Sequence, residues 1–185
     1  MRQQGFSLIE LLMGLAIAAI VLHLATPAFA ALTESNHREE AAWSIVSGIR
    51  SARSEAITRN QTIVIHATND DWSQGWRMIA DVSGKGHEDS DNPLLLERQS
   101  NTQVPIFGNG PVKTAIRFNH LGKPLLDEGG FRAGTLHVCA TRGPVSELQV
   151  VLAASGRVSL RSKKTAQALC ERGKKLKAAS AHAAL

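Results

Sequence analysis

Apolar and polar positions along the chain fall into three regimes. Residues 6–32 are apolar almost without interruption; Glu10 is the only permanent charge among them and His23 the only other ionisable group. That run exceeds the roughly 20 residues a helix needs to cross a bilayer. The second regime, "ESNHREEAAWSIVSGIRSARSEAITRN", sets Ala42, Ile45, Val46, Ile49, Ala52 and Ala56 at three- and four-residue spacing. Arg38, Glu39, Glu40, Arg50 and Arg53 occupy the other face, which predicts an amphipathic helix. After Asn60 the period shortens: "QTIVIHAT", "GWRMIAD", "PLLLERQ", "KTAIRFN", "GTLHVCA" and "ELQVVLAASGRVSL" are short apolar or alternating runs. Clusters such as "FGNGP", "LGKP" and "DEGG" separate them, the pattern of a small antiparallel β domain. Residues 83–92 show no period and predict a mobile hairpin loop. The fold class expected is α+β, a long N-terminal helix packed on a small antiparallel β domain.

Glu10 is the position that this pattern does not explain. A carboxylate in hydrocarbon costs about 2.5–3.5 kcal/mol on insertion scales, so a segment shaped only for insertion has no use for it. Arg2 precedes the run, which orients the N-terminus toward the cytoplasm and sends the downstream residues across the membrane. A secretory signal peptide is one reading, with Ala28-Phe29-Ala30 as a small-x-small cleavage site. A plain membrane anchor is another. Neither gives Glu10 a partner.

Composition changes the picture in two respects. Aromatic residues make up 4% of the 185 and tyrosine is absent, so the core must be mainly aliphatic. Charge is unevenly placed: from Arg157 onward, Arg157, Arg161, Lys163, Lys164, Arg172, Lys174, Lys175 and Lys177 face Glu171 alone. That stretch carries a net +7 within a chain total of +5, leaving −2 before it. A basic tail of this kind suits an acidic partner, whether nucleic acid, anionic lipid or protein, or simply a solvated end.

Candidate chemistry is sparse. His66, His120 and His137 fall in or beside strands without paired-ligand spacing, and read as structural or solvated histidines. Ser155-Gly156 lacks the G-x-S-x-G elbow. Asp70-Asp71 and Glu88-Asp89-Ser90-Asp91 offer loop carboxylates without the complete calcium-loop pattern. Trp43, Trp72 and Trp76 read as packing residues or a sheet-edge cover. Cys139 and Cys170 stand 31 positions apart with no C-x-x-C pair; one disulfide is the simplest state in an exported domain, two buried thiols the other. No catalytic residue, cofactor or metal is expected, and the chain does not read as an enzyme.

Gly5-Phe6-Ser7-Leu8-Ile9-Glu10-Leu11-Leu12 resembles the type IV prepilin leader and cleavage site of pilins and pseudopilins. The resemblance implies removal of a leader after Gly5, N-methylation of Phe6, and Glu10 as fifth residue of the mature chain. The new ammonium group of one subunit can then pair with Glu10 of its neighbour, compensating two charges that would be expensive alone. Pro27 agrees with it, since helices of this family bend near a proline.

The second half of the chain narrows the resemblance. "IRSARSEAITRNQTIVI", with Ala52, Arg53, Ser54, Glu55, Ala56, Ile57 and Arg59, and "LQVVLAASGRVSL", with Gly156-Arg157, look like segments of the FimT/GspH family of minor pilins and pseudopilins. Cys139 and Cys170 fall where members often place a bracketing pair. The organisation implied is a leader over 1–5, a helix over 6–60 crossing the membrane over about 6–30, a β-rich domain over 61–161 and a basic tail over 162–185. The function implied is that of a minor pilin helping to initiate or prime a type IV pilus; the alternative is the H-type pseudopilin of a type II secretion system. Partners implied are other major and minor pilins through the helix, prepilin peptidase, and the bacterial inner membrane with the globular part periplasmic. Some FimT-like pilins bind DNA in natural transformation through a Gly-Arg-x-Arg element. Here Gly156, Arg157 and Arg161 keep that element with the second arginine two places late, and Lys163 and Lys164 extend it, making these four cations the DNA-binding candidates.

Overall fold

The computed structural model of the chain describes residues 8–100, 104–125 and 133–171. It divides into two compact units, Met1–His37 and Arg38–Leu185, with the helix α1 (Leu8–Arg59) contributing to each.

Over residues 8–32 α1 is apolar on every side apart from Glu10 and His23. The described large hydrophobic side chains from Leu8 to Leu32 are 53–75% exposed. A helix closes its backbone hydrogen bonds internally, which is the condition for standing in lipid. Two of its threonine hydroxyls are closed too: Thr26 Oγ1 donates to the Leu22 carbonyl at 2.7 Å and Thr33 Oγ1 to that of Phe29 at 3.0 Å. Pro27 does not end the helix.

The second unit holds two antiparallel sheets. Its strands are β1 (Ile63–Ala67), β2 (Gly75–Ala80), β3 (Leu94–Gln99), β4 (Ile106–Gly108), β5 (Ala115–Phe118), β6 (Pro124–Leu125), β7 (Gly134–Cys139), β8 (Val145–Leu152), β9 (Val158–Arg161) and β10 (Thr165–Ala166). One sheet runs β3-β2-β1-β5-β6; the other runs β10-β8-β7-β4, with β9 also paired to β8. Each predicted apolar run contains a strand. β4, β6 and β10 have no counterpart among those runs, because two or three residues are too few to show alternation.

The stripe predicted on α1 is the stripe that is buried. Ala42, Ile45, Val46, Ile49, Ala52 and Ala56 lie in one cluster with Ile63, Ile65, Trp76 and Phe118 of the first sheet and Leu136, Val138, Val150 and Leu152 of the second. At Gly48 a Cβ would stand 2.7 Å from the Trp76 ring and 2.9 Å from Ile65 Cδ1. Glycine costs a helix interior about 1 kcal/mol against alanine; here it lets the helix meet the sheet. Trp76 Nε1 then reaches Ser44 Oγ on α1 at 3.2 Å.

The outer face of the first sheet corrects the expectation of a mobile loop at 83–92. The loop is folded around Asn92 and Asp81, both buried. Asn92 Oδ1 accepts from the Val82 and Ser83 amides, Asn92 Nδ2 donates to the Gly86 carbonyl at 2.8 Å, and the Gly86 amide donates to Asp81 Oδ1 at 3.0 Å. Arg117 locks the arrangement, 3.0 Å from Asp81 Oδ2 and 3.1 Å from the Gly84 carbonyl. Val64 and Ile79, cross-strand partners outside the main cluster, are 1% and 6% exposed. A polar composition hid these hydrogen bonds, since Asn and Asp serve folded loops as readily as solvated ones.

Candidate functional site

The sequence marks two regions, and the structure treats them differently. Gly5 and Phe6 lie outside the described residues. Glu10 stands in the first turn of α1, exposed.

The basic region begins at the β8–β9 hairpin. Ala153 N–H donates to the Arg157 carbonyl at 2.9 Å, Gly156 N–H to that of Ala153 at 2.8 Å, and Gly156 takes φ 79°. The turn needs glycine for that φ and for space, because a Cβ there would lie 2.5 Å from the Gly122 carbonyl oxygen. Arg53 of α1 donates through Nε to that same oxygen at 3.0 Å. The arginine of the helix motif and the Gly-Arg turn of the strand motif therefore meet at one junction, which joins helix, β5–β6 turn and β8–β9 turn. Arg50, one turn earlier, reaches the Val158 carbonyl loosely at 3.5 Å. Arg50 is exposed, as the helical period places it, whereas Arg53 is half-buried at the flank of the stripe; long side chains let both reach the sheet edges.

Arg157 precedes β9 and lines a groove of about 490 Å³ beside it, with Glu39, Trp43 and Arg50 of α1 opposite Val158 and Leu160. Arg161, Lys163 and Lys164 do not line that groove. Arg161 closes β9 opposite Gln149. The Lys163 carbonyl accepts from Gln149 Nε2 at 2.7 Å, and Lys164 Nζ pairs with Glu147 Oε2 at 3.0 Å. Arg157, Arg161 and Lys163 are exposed and form no ion pair among the described residues. The remaining tail cations, Arg172, Lys174, Lys175 and Lys177, lie outside those residues.

Segment 162–171 is strapped to the second sheet. Cys139 and Cys170 form a disulfide with Cα atoms 5.6 Å apart. His137 Nε2 lies 3.1 Å from Gln167 Nε2 and Nδ1 lies 3.0 Å from Ser146 Oγ. An amide nitrogen only donates, so Nε2 accepts and Nδ1 carries the hydrogen of a neutral ring. Burial pushes the His137 pKa below its ordinary value.

The other candidates have structural surroundings. His66 stacks on His87 with ring centroids 5.0 Å apart; burial, foremost, lowers its pKa. His120 is an exposed turn residue. Asp71 Oδ1 caps the Ser73 amide at 2.9 Å, and Asp89 accepts from the Asp91 amide at 3.0 Å, which holds the Asp89 carboxyl below its usual range. Among the described residues, no three His, Cys, Asp or Glu side chains are grouped to hold a metal ion. Trp72 and Trp76 are buried, the former donating to the Lys113 carbonyl at 2.9 Å. Trp43 is the exception to the packing expectation, 52% exposed in the groove. Its signal was present in the sequence: Glu39, Trp43 and Arg50 follow at intervals of four and seven residues, hence on one helix face beside the stripe.

Residues 41–156 match the family model described as Type II transport protein GspH. Residues 1–26 match the model of the prokaryotic N-terminal methylation motif. Among solved structures, the chain is similar to the type IV minor pilin FimU of Pseudomonas aeruginosa (strain PAO1) in two crystal forms. The first has 20% identity and TM-score 0.57 over 75% of this chain and 98% of that one; the second has 18% and 0.53 over 71% and 98%. That likeness concerns the fold. No curated protein matches the sequence.

Proposed function

Because the chain belongs to the GspH family of type II transport proteins and is a minor pilin or pseudopilin, we propose that it is cut after Gly5, methylated at Phe6, and helps to initiate a type IV pilus. Before assembly it sits in the inner membrane with its N-terminus cytoplasmic and its β domain periplasmic. The observation that supports this reading is an apolar helical segment over residues 8–32, whose described large side chains are exposed and whose single carboxylate, Glu10, directly follows the cleavage motif. Such a helix must exchange lipid for other apolar helices, and Glu10 gives that exchange a register. Mass spectrometry of the mature chain tests the first step. A methylated Phe6 start is expected; a start at Ala31 would make the segment an ordinary signal peptide. Deleting the gene then separates the alternative, since loss of type II secretion with intact pili assigns the chain to the pseudopilus.

A second reading, DNA binding by the basic region, has in its favour that Arg157, Arg161 and Lys163 are exposed without carboxylate partners among the described residues. If these and Lys164 neutralise four phosphates, log affinity for duplex DNA falls against log salt with a slope of about −3.6. Changing Arg161 and Lys163 together to Gln should flatten the slope by about 2 and weaken all sequences alike. No shift at low salt removes this reading.

A further inference from the structure

The groove beside β9 has a property that its charges alone do not show: its floor is the free edge of a strand. In the β8–β9 ladder Val151 faces Ser159, Val150 faces Leu160 and Gln149 faces Arg161. Since Ala153 N–H donates to the Arg157 carbonyl, alternation turns the main chain of Ser159 and Arg161 toward β8. It turns that of Val158 and Leu160 away. Among the described residues β9 pairs with no strand but β8. Of the groups turned away, the Val158 carbonyl is engaged, at 3.5 Å by Arg50. The Leu160 N–H and carbonyl make no hydrogen bond among the described residues. Proteins usually blunt such an edge with charge or a covering loop; here Trp43, Arg50 and Arg157 stand alongside and leave a groove open.

We infer that this groove is a docking site for an extended, acidic segment of a neighbouring pilin or pseudopilin subunit, which adds a strand to β9. The inference rests on reading the chain as a filament subunit. An incoming strand completes the hydrogen bonds of Leu160 and Val158 and displaces the loose Arg50 contact. The freed Arg50 and the unpaired Arg157 then meet carboxylates, while alternate apolar side chains cover Trp43 and Leu160. Glu39 is the only carboxylate among the described residues that line the groove, so its charge balance favours an acidic guest. The chain's own C-terminal tail does not fit, because Arg172, Lys174, Lys175 and Lys177 would face Arg50 and Arg157. A nucleic acid strand could use the two arginines but would not pair with the open N–H and carbonyl of Leu160 as a peptide strand does.

The test uses the full chain in detergent micelles and a synthetic hexapeptide of alternating valine and glutamate. Trp43 is the reporter, Trp72 and Trp76 being buried. Saturable binding is expected, with the fluorescence change lost in Trp43→Phe and affinity reduced about 5-fold in Arg157→Gln, the upper value for an exposed charge pair. The same peptide with N-methylated backbone amides should not bind, nor should its valine–lysine counterpart. Equal binding of the methylated or the lysine peptide overturns strand addition. So does a mixed-sequence oligonucleotide that changes the Trp43 signal while the acidic peptide does not. Circular dichroism of each variant shows that the fold is kept. Failure here leaves cleavage after Gly5, and the reading as a subunit, untouched.

Discussion

Residues 8–37 and 38–59 belong to one helix, yet they solve opposite problems. Over residues 8–32 the described large hydrophobic side chains are exposed; over residues 41–56 six stripe residues are buried to 2% or less. Backbone conformation is common to both. What differs is the partner for which the side chains are shaped. The second stretch carries a stripe about a third of the circumference wide, and its own sheets cover that stripe. The first has apolar residues all round, so no single surface of its own domain could cover it. One half is a component of a fold and the other a component of an assembly.

The largest expected effect comes from breaking the assembly half without touching the fold. Glu10→Ala should insert in the membrane and keep the thermal midpoint of the β domain, yet fall to background in sheared filaments, because the neighbour's ammonium group loses its counter-charge. Wild-type recovery would remove the pairing argument. Next is a matched truncation in each half. Ile49, fully buried, should cost about 2–5 kcal/mol of domain stability when changed to Ala. Ile17, 61% exposed, should leave the denaturation midpoint where it was. Equal losses would mean that both halves pack on the domain.

Gly48→Ala sharpens the contrast at a smaller scale. Alanine returns about 1 kcal/mol of helix propensity, but its methyl would stand 2.7 Å from the Trp76 ring. Overpacking of that kind costs about 1–3 kcal/mol, so a modest net loss is expected by chemical denaturation. The same change at Gly14, which has open space around it, should be neutral or stabilising.

The smallest effect is titration of the strap. The folded His137 pKa lies below its unfolded value because burial disfavours the charged ring, and His66 shifts in the same direction. Between the folded and unfolded values the unfolded chain binds more protons. Stability is therefore full above about pH 6.5 and declines as pH falls through the window below it. His137→Gln should shrink that decline, read from thermal midpoints at neutral and mildly acidic pH; an unchanged slope would assign it elsewhere.

Periodicity made the stripe on α1 and the longer strands readable, because covering a core face requires an apolar residue about every 3.6 or every 2 positions. The same reasoning could not recover β4, β6 or β10, whose two or three residues carry no period. Nor could it recover the loop around Asn92, whose order lies in hydrogen bonds between residues eleven apart, such as Asn92 and Asp81, and 33 apart, as between Arg117 and Gly84. At the basic end, the turn glycine and exposed cations were legible. Their separation was not: Arg157 faces the groove with Trp43, while Lys164 is drawn to Glu147.

By itself, then, the sequence determined the helix, the longer strands and the N-terminal methylation motif, since apolar period and a short motif are local properties of the chain. The tertiary structure decided which arginines brace the fold and which stay open, that Trp43 remains uncovered, and that the edge of β9 is unpaired. Those outcomes depend on where two turns and a helix flank meet in space, and residues 108 positions apart, such as Arg50 and Val158, share no signal along the chain.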